Sequence, residues 1–142
     1  MMNTQQINAI LCNDAMTKHM FQDVFSIDQL PLTCDGMVVV NTDEHDQPGE
    51  HWIAVYDNEY FDSYGLPPQD ERLWTFIGSN VVYNNVPLQQ VLSNACGFYC
   101  VYFLLERARG HSFEDIVHML RNSDSDFIVK NMVYDRYMPL FY

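Results

Sequence analysis

The strongest constraint on the fold is the segment from Cys96 to Arg109, which is predicted to be an α-helix with a broad apolar face. Gly110 follows it and is expected to end the helix. The apolar side chains of the segment cover much of the helix surface: Tyr99, Tyr102, Phe103, Leu104 and Leu105. A helix with so wide an apolar surface is expected to be buried, so the other elements must pack around it. Because the chain has 142 residues and 48% of them are hydrophobic, a single domain over residues 1–142 is expected.

Shorter patterns predict helices and strands on both sides of this segment. The β-branched run Met37–Asn41 predicts a buried strand, and residues 51–56 and 59–62 predict a hairpin around the turn Asp57-Asn58. The remaining expectations are a helix capped by Thr4 with Ile7, Ile10 and Leu11 buried, an irregular segment at 24–31, a helix at 69–77 with Leu73, Trp74 and Ile77 buried, a strand at 81–83, a helix capped by Ser112, and a helix at 127–134. This order of elements predicts an α+β domain.

The charge balance argues against a nucleic-acid-binding surface. Lys and Arg total 7 against 19 Asp and Glu, which gives a formal net charge of -12. Phosphate binding needs clustered cations, and Arg107 and Arg109 are the only close pair of them. An acidic surface of this kind suggests good solubility and favours a basic substrate or partner.

The four cysteines are expected to be reduced thiols inside a cell. The chain begins Met-Met-Asn-Thr-Gln-Gln, without the basic and apolar segments of a signal peptide, and no apolar stretch is long enough to span a bilayer. We therefore expect an intracellular protein that is not secreted and does not bind a membrane. Cys96 and Cys100 could supply two zinc ligands, but no second Cys/His pair of similar spacing accompanies them, so no metal or other cofactor is predicted.

Four side chains together supply the groups that a cysteine nucleophile needs to hydrolyse an acyl bond. They occur in the chain order His51, Asp62, Gln89, Cys96. Hydrolysis of an acyl bond by a cysteine nucleophile needs a thiolate, an imidazole base, a group that orients the imidazole, and a hydrogen-bond donor to the oxyanion. Each residue alone is weak evidence for catalysis; a lone helical cysteine, for example, is usually a small buried hydrophobic residue. Their joint order strengthens the catalytic interpretation.

The predicted positions of these residues suit their roles. Cys96 at a helix start would lie near free backbone N–H groups that favour a thiolate and bind an oxyanion, and Gly97 would let a substrate backbone approach closely. His51 heads one strand of the hairpin and Asp62 ends the other, so Asp62 could fix the imidazole tautomer. Trp52 could wall the substrate groove.

Two residues leave alternatives open. Gln90 could replace Gln89 as the oxyanion donor, because only one of two adjacent side chains on an extended segment faces the site. Cys100 lies one helical turn beyond Cys96 and is interpreted as a core residue rather than a redox or metal site.

At these residues the chain resembles the adenovirus-type cysteine proteases (the adenain family), within the clan that includes ubiquitin-like-protein proteases. The matching segments are Gly49-Glu50-His51-Trp52, Phe61-Asp62-Ser63-Tyr64-Gly65, and Gln89 with Ser93-Asn94-Ala95-Cys96-Gly97-Phe98-Tyr99-Cys100. The spacing from Gln89 to Cys96 suits the adenovirus-type pattern, and that from Gln90 suits the ubiquitin-like-protease pattern. The joint motif is specific, and the likeness spans roughly residues 7–110.

The resemblance implies a compact papain-like fold, with a central mixed β-sheet packed on the helix that carries the nucleophile. It implies His51 as general base, Asp62 as its orienting acid, Cys96 as nucleophile, and Gln89 with the Cys96 N–H as oxyanion donors. It implies a cysteine endopeptidase that cleaves after small residues such as glycine, in capsid or core precursors of a DNA virus, virophage or virus-like transposon, within the host cell and the virion. An activating peptide is implied as a partner.

This chain departs from the family in two respects. The adenovirus enzymes are longer and basic and use DNA as an activator, whereas the net charge of -12 makes DNA activation doubtful here. The orienting acid in those enzymes is often Glu on a longer hairpin, whereas here it is Asp62, eleven positions after His51. Two other functions remain open: a deconjugase for a ubiquitin-like modifier with the same chemistry, and an inactive domain that binds extended peptides.

Overall fold

A five-stranded mixed sheet forms the centre of the molecule. The computed structural model of the protein describes residues 2–47, 51–90 and 92–137. In chain order the elements are α1 (Thr4–Asn13), β1 (Phe21–Ser26), β2 (Met37–Asn41), β3 (Trp52–Tyr56), β4 (Glu59–Phe61), α2 (Glu71–Ile77), β5 (Val82–Tyr83), α3 (Cys96–Ala108), α4 (Phe113–Arg121) and α5 (Ser125–Tyr137), with short 3₁₀ turns at Thr17–His19 and Ile27–Gln29. The strands lie in the order β1-β2-β3-β4-β5. The architecture is α+β, as predicted.

The hairpin of β3 and β4 is the part of the sheet that positions the candidate site. The two strands are antiparallel, with Ala54 opposite Phe61 and Tyr56 opposite Glu59. β2 pairs antiparallel with β3 on the other side, while the outer pairs β1–β2 and β4–β5 are parallel. The turn residue Asp57 has a φ of 55°, which an Asp tolerates better than most residues do. The predicted hairpin and the predicted strand β2 are confirmed.

Helix α3 packs across one face of the sheet, and its burial confirms the prediction of a central helix. Every residue from Cys96 to Leu105 is buried. The ring of Phe103 stacks on Phe61 of β4, with centroids 4.5 Å apart and planes 6° from parallel. Helices α1, α4 and α5 complete this side of the core, while Leu73 and Phe76 of α2 cover part of the opposite face of the sheet. The nucleophile candidate therefore starts a helix that is fixed on several sides.

Three local predictions were wrong. Residues 24–31 were expected to be irregular, but residues up to Ser26 belong to β1, whose pairing with β2 is non-local and leaves little local signal. In α2, Phe76 is buried, whereas Trp74 is 45% exposed and Ile77 is only partly buried. Asn3, not Thr4, caps α1: its side chain accepts the Gln6 N–H at 2.9 Å, and Gln6 accepts the Asn3 N–H at 3.0 Å.

Candidate active site

The hairpin brings His51 and Asp62 together at the same end of the sheet. His51 directly precedes β3 and Asp62 directly follows β4, and the antiparallel pairing makes these two strand ends neighbours. The imidazole Nε2 lies 2.7 Å from Asp62 Oδ1, and the Asp62 side chain is 6% exposed. With Nε2 bound to the carboxylate, Nδ1 is the ring nitrogen that remains for a second partner.

A tight turn after β4 holds the Asp62 carboxylate in place. Asp62 Oδ1 accepts the Tyr64 N–H at 2.9 Å, and the Gly65 N–H donates to the Asp62 carbonyl at 2.8 Å. Gly65 has a φ of +76°, and a Cβ there would lie 2.4 Å from the carbonyl carbon of Val86. Only glycine fits this position, because both the backbone angle and the space exclude a side chain.

Asn84 and Tyr64 support the same pair, and neither was predicted to be a site residue. The Asn84 amide donates to the Asp62 carbonyl at 2.6 Å and accepts the Asp62 N–H at 3.1 Å. The Tyr64 ring stacks on the His51 ring, with centroids 4.9 Å apart and an interplanar angle of 28°. A stacked electron-rich ring favours a charged imidazolium over the neutral base.

Cys96 is the first residue of α3, and the His51 imidazole is near enough to its thiol to lower the thiol pKa. Burial favours the neutral thiol, but the hydrogen bond with His51, the N–H groups of Trp52 and Gly97, and the attraction of the imidazolium together outweigh it. The pKa of Cys96 is therefore lowered from its usual value. Ala95 precedes the helix and has no side-chain cap, so the dipole end of α3 also favours the thiolate.

The pKa of His51 moves in the opposite direction. Burial disfavours the imidazolium, but hydrogen bonds to Asp62 and Cys96, with the attraction of both charges, raise the pKa of His51 to about 9. A lowered thiol pKa and a raised imidazole pKa favour transfer of the thiol proton to the ring. The arrangement can hold an imidazolium–thiolate ion pair near neutral pH.

Of the two candidate oxyanion donors, Gln89 is buried and Gln90 is exposed. Gln89 Oε1 accepts the Ser63 hydroxyl at 2.5 Å, and Gln89 Nε2 donates to the Ser93 carbonyl at 2.7 Å. An amide nitrogen carries two hydrogens, so a second N–H remains for another acceptor. Gln89 is therefore bound both to the turn that carries Asp62 and to the segment that leads to Cys96.

Met2 covers the surface where Trp52 and Gly97 were expected to line a substrate groove. The Trp52 indole N–H donates to the Met2 carbonyl at 3.3 Å. A Cβ on Gly97 would lie 3.0 Å from Met2 Cβ and 3.4 Å from Trp52 Cδ1. Met2 precedes the cap of α1 and Ile7 follows four residues after that cap, the positions of a hydrophobic staple. The groove role of Trp52 and Gly97 stays a prediction.

A groove of about 410 Å³ opens beside Met2 and Trp52. Its other walls include Phe25 of β1, Asn41 at the end of β2 and Glu44 in the loop that follows.

The other cysteines lack the surroundings of Cys96. Burial, together with the nearby Cys96 and Asp62 charges, raises the pKa of Cys100 well above its usual value. Burial also raises the pKa of Cys34 to about 11, while Cys12 is exposed. All four cysteines are free. These contrasts support the interpretation of Cys100 as a core residue.

Neither a metal centre nor a membrane span is found in the part of the chain that the structure describes. No group of three or more His, Cys, Asp or Glu side chains there could hold a metal ion. No helix among residues 2–47, 51–90 and 92–137 is long and apolar enough to cross a bilayer. The matched residues Gly49 and Glu50 lie outside the described residues.

No protein-family model matches the chain, and no curated protein is significantly similar to it.

Proposed function

We propose that the protein is a cysteine endopeptidase of the adenain type, with a papain-like arrangement of sheet and nucleophile helix. The observation that carries the proposal is one imidazole that is bound to a buried carboxylate and that lowers the pKa of a thiol at a helix start. The opposed pKa shifts of His51 and Cys96 support it, because shifted pKa values of interacting groups cluster at functional sites.

In the proposed reaction the Cys96 thiolate attacks the scissile carbonyl carbon and forms a tetrahedral oxyanion. The second N–H of the Gln89 amide and the Cys96 backbone N–H donate to that oxyanion. His51 gives its proton to the leaving amine as the C–N bond breaks, and the acyl group stays on sulfur. Water then attacks the thioester with His51 as general base, which releases the carboxylic acid and restores the thiol proton to the pair.

The proposed substrates are polypeptides cleaved after small residues such as glycine. This assignment follows from the resemblance to the adenain family, which rests on the motif order and on the spacing of seven residues from Gln89 to Cys96. We further propose that these substrates are capsid or core precursors of a DNA virus, virophage or virus-like transposon, processed in the host cell and the virion. The net charge of -12 favours basic precursor segments.

The test is hydrolysis of a peptide library that contains Gly sites, with mass-spectrometric detection of the products. Wild type is expected to cleave after Gly, and Cys96→Ala is expected to lose at least about a thousandfold of the activity, since it removes the nucleophile. Cys12→Ser, which changes an exposed thiol, is the matched control and should cleave like wild type. Equal cleavage by Cys96→Ala and wild type would overturn the mechanism.

A second reagent separates the proposed endopeptidase from the deconjugase. A ubiquitin-like modifier with an electrophilic C-terminus labels a deconjugase at its nucleophile. We expect weak labelling relative to a short peptide with the same electrophile. Strong preference for the modifier probe would replace the precursor substrates by modifier conjugates and leave the chemistry unchanged.

A further inference from the structure

A buried cluster of polar side chains joins α3 to the start of α5. It consists of Tyr99, Ser125 and Asp126, and is called the Tyr99 cluster below. The Tyr99 hydroxyl lies 2.6 Å from Asp126 Oδ1, to which it donates, and 2.6 Å from Ser125 Oγ. Tyr99 is 0% exposed and Ser125 is 4% exposed. A phenylalanine would fill the same apolar space, so the buried hydroxyl needs an explanation beyond packing.

The Tyr99 cluster holds both peptide groups that flank Gln89. The first of these is the peptide group between Leu88 and Gln89. Its carbonyl oxygen accepts a hydrogen bond from Ser125 Oγ at 3.0 Å and lies 3.1 Å from the Tyr99 hydroxyl oxygen. The Gln90 N–H, which belongs to the second, donates to Asp126 Oδ1 at 3.4 Å. Both backbone dihedrals of Gln89 are thereby restrained from the α5 side.

The turn after β4 restrains Gln89 from the opposite side. The Leu88 and Gln89 N–H groups both donate to the Ser63 carbonyl, at 2.8 and 3.0 Å. The Ser63 hydroxyl also binds the Gln89 side chain. Ser63 binds the N–H side of the Leu88–Gln89 peptide group but leaves its carbonyl oxygen and the Gln90 N–H without a partner, and the Tyr99 cluster binds these two groups.

We propose that Tyr99, Ser125 and Asp126 are positioning residues that aim the Gln89 amide at the oxyanion. The proposal rests on the endopeptidase function above, and it extends the site to the first turn of α5, beyond the matched motif. A donor must be held to within about 0.5 Å to stabilise a transition state. Loss of the Tyr99 hydroxyl would remove the donor that holds the Asp126 carboxylate beside the Gln90 N–H, and so loosen one flank of Gln89 without removing any group that contacts substrate.

Tyr99→Phe tests the proposal, with Tyr102→Phe as its matched control. Tyr102 lies on the same helix, and its hydroxyl contacts the Met119 sulfur at 4.0 Å. With the Gly peptide as substrate, Tyr99→Phe is expected to lower kcat about tenfold and change KM less than twofold, because only transition-state binding is affected. Tyr102→Phe should retain the wild-type kcat.

Two further readouts separate positioning from a loss of folded structure. The rate of Cys96 alkylation by iodoacetamide should be unchanged in Tyr99→Phe, because alkylation by this reagent forms no oxyanion. In a Gln89→Ala background, Tyr99→Phe should have no additional effect on kcat, because its partner in the mechanism is already absent.

The outcomes distinguish this inference from the proposed function. Active wild type with an unchanged kcat in Tyr99→Phe would overturn the positioning role alone. A tenfold loss that persists in Gln89→Ala, or a matching loss of alkylation, would also overturn it, since the effect would then not act through Gln89. Failure of wild type to cleave any peptide would instead overturn the proposed function on which it rests.

Discussion

Replacement of Asp62 by Asn tests how the ion pair is formed. The substitution keeps the side-chain shape and can keep an oxygen near His51 Nε2, 2.7 Å from Oδ1 in the wild type, but it removes the negative charge. His51 is only 18% exposed at its side chain, so water cannot readily replace that charge. The imidazolium should therefore lose most of the stabilisation that Asp62 provides.

The magnitude follows from the His51 pKa. A rise from the usual 6.5 to about 9 corresponds to about 3 kcal/mol in favour of the imidazolium. Hydrogen bonds and charge attraction from both Asp62 and Cys96 produce this net rise against the cost of burial. If Asp62 supplies about half of the stabilisation of the imidazolium, Asp62→Asn lowers the His51 pKa by about 1 to 2 units. This corresponds to a change of about 10- to 100-fold in the protonation equilibrium of His51.

The sign of the pH effect on Cys96 follows from this coupling. An imidazolium lowers the thiol pKa, so a weaker imidazolium lets that pKa rise toward its usual value. The pH at which Cys96 becomes half-reactive should thus move up by about one unit or more in Asp62→Asn. The assay is the pH dependence of Cys96 alkylation by iodoacetamide, followed by mass spectrometry. An unchanged midpoint in Asp62→Asn would refute the coupling.

Three further changes have defined outcomes. Asp14→Asn should lower the free energy of unfolding at neutral pH by about 2 to 3 kcal/mol, measured by urea denaturation, because it breaks a largely buried ion pair. Despite the cost of burial, hydrogen bonds hold the Asp14 pKa well below its usual range. The contribution of Asp14 to the free energy of unfolding is therefore present above the unfolded-state pKa and is lost on acidification. Equal acid sensitivity of Asp14→Asn and wild type would contradict this. Gly65→Ala should lower the melting temperature, since a Cβ would lie within 2.5 Å of the Val86 backbone; an unchanged melting temperature would mean that this turn relaxes freely. Gln89→Ala should lower kcat by about a hundredfold and Gln90→Ala by less than twofold, and the reverse order would exchange their roles.

Much of the fold was predictable from local patterns. The apolar face of α3, the β-branched residues of β2 and the turn at Asp57 each carry a strong local signal, and all three elements are present. The closeness of His51 and Asp62 follows from the hairpin alone, because the strand ends must meet. These features depend on residues near each other in sequence.

Apart from the local cap of α1 by Asn3, the features that were not predicted depend on contacts between distant parts of the chain. β1 is defined by parallel pairing with β2, and Trp74 is exposed because α2 is rotated toward Phe76. The contact of Ser63 with Gln89 spans 26 residues, and that of Met2 with Trp52 spans 50. Such contacts leave no periodic signal in the sequence, since they are set by the assembled core.

The central claim is that Cys96, alone among the four cysteines, is an activated nucleophile. The most direct test is the rate of alkylation of each cysteine by iodoacetamide at pH 7, in the folded protein and in His51→Ala. We expect Cys96, although only 3% exposed, to react faster than the exposed Cys12 and to lose this advantage in His51→Ala. If Cys96 reacts no faster than Cys12, or equally fast without His51, Cys96 is not a nucleophile activated by His51.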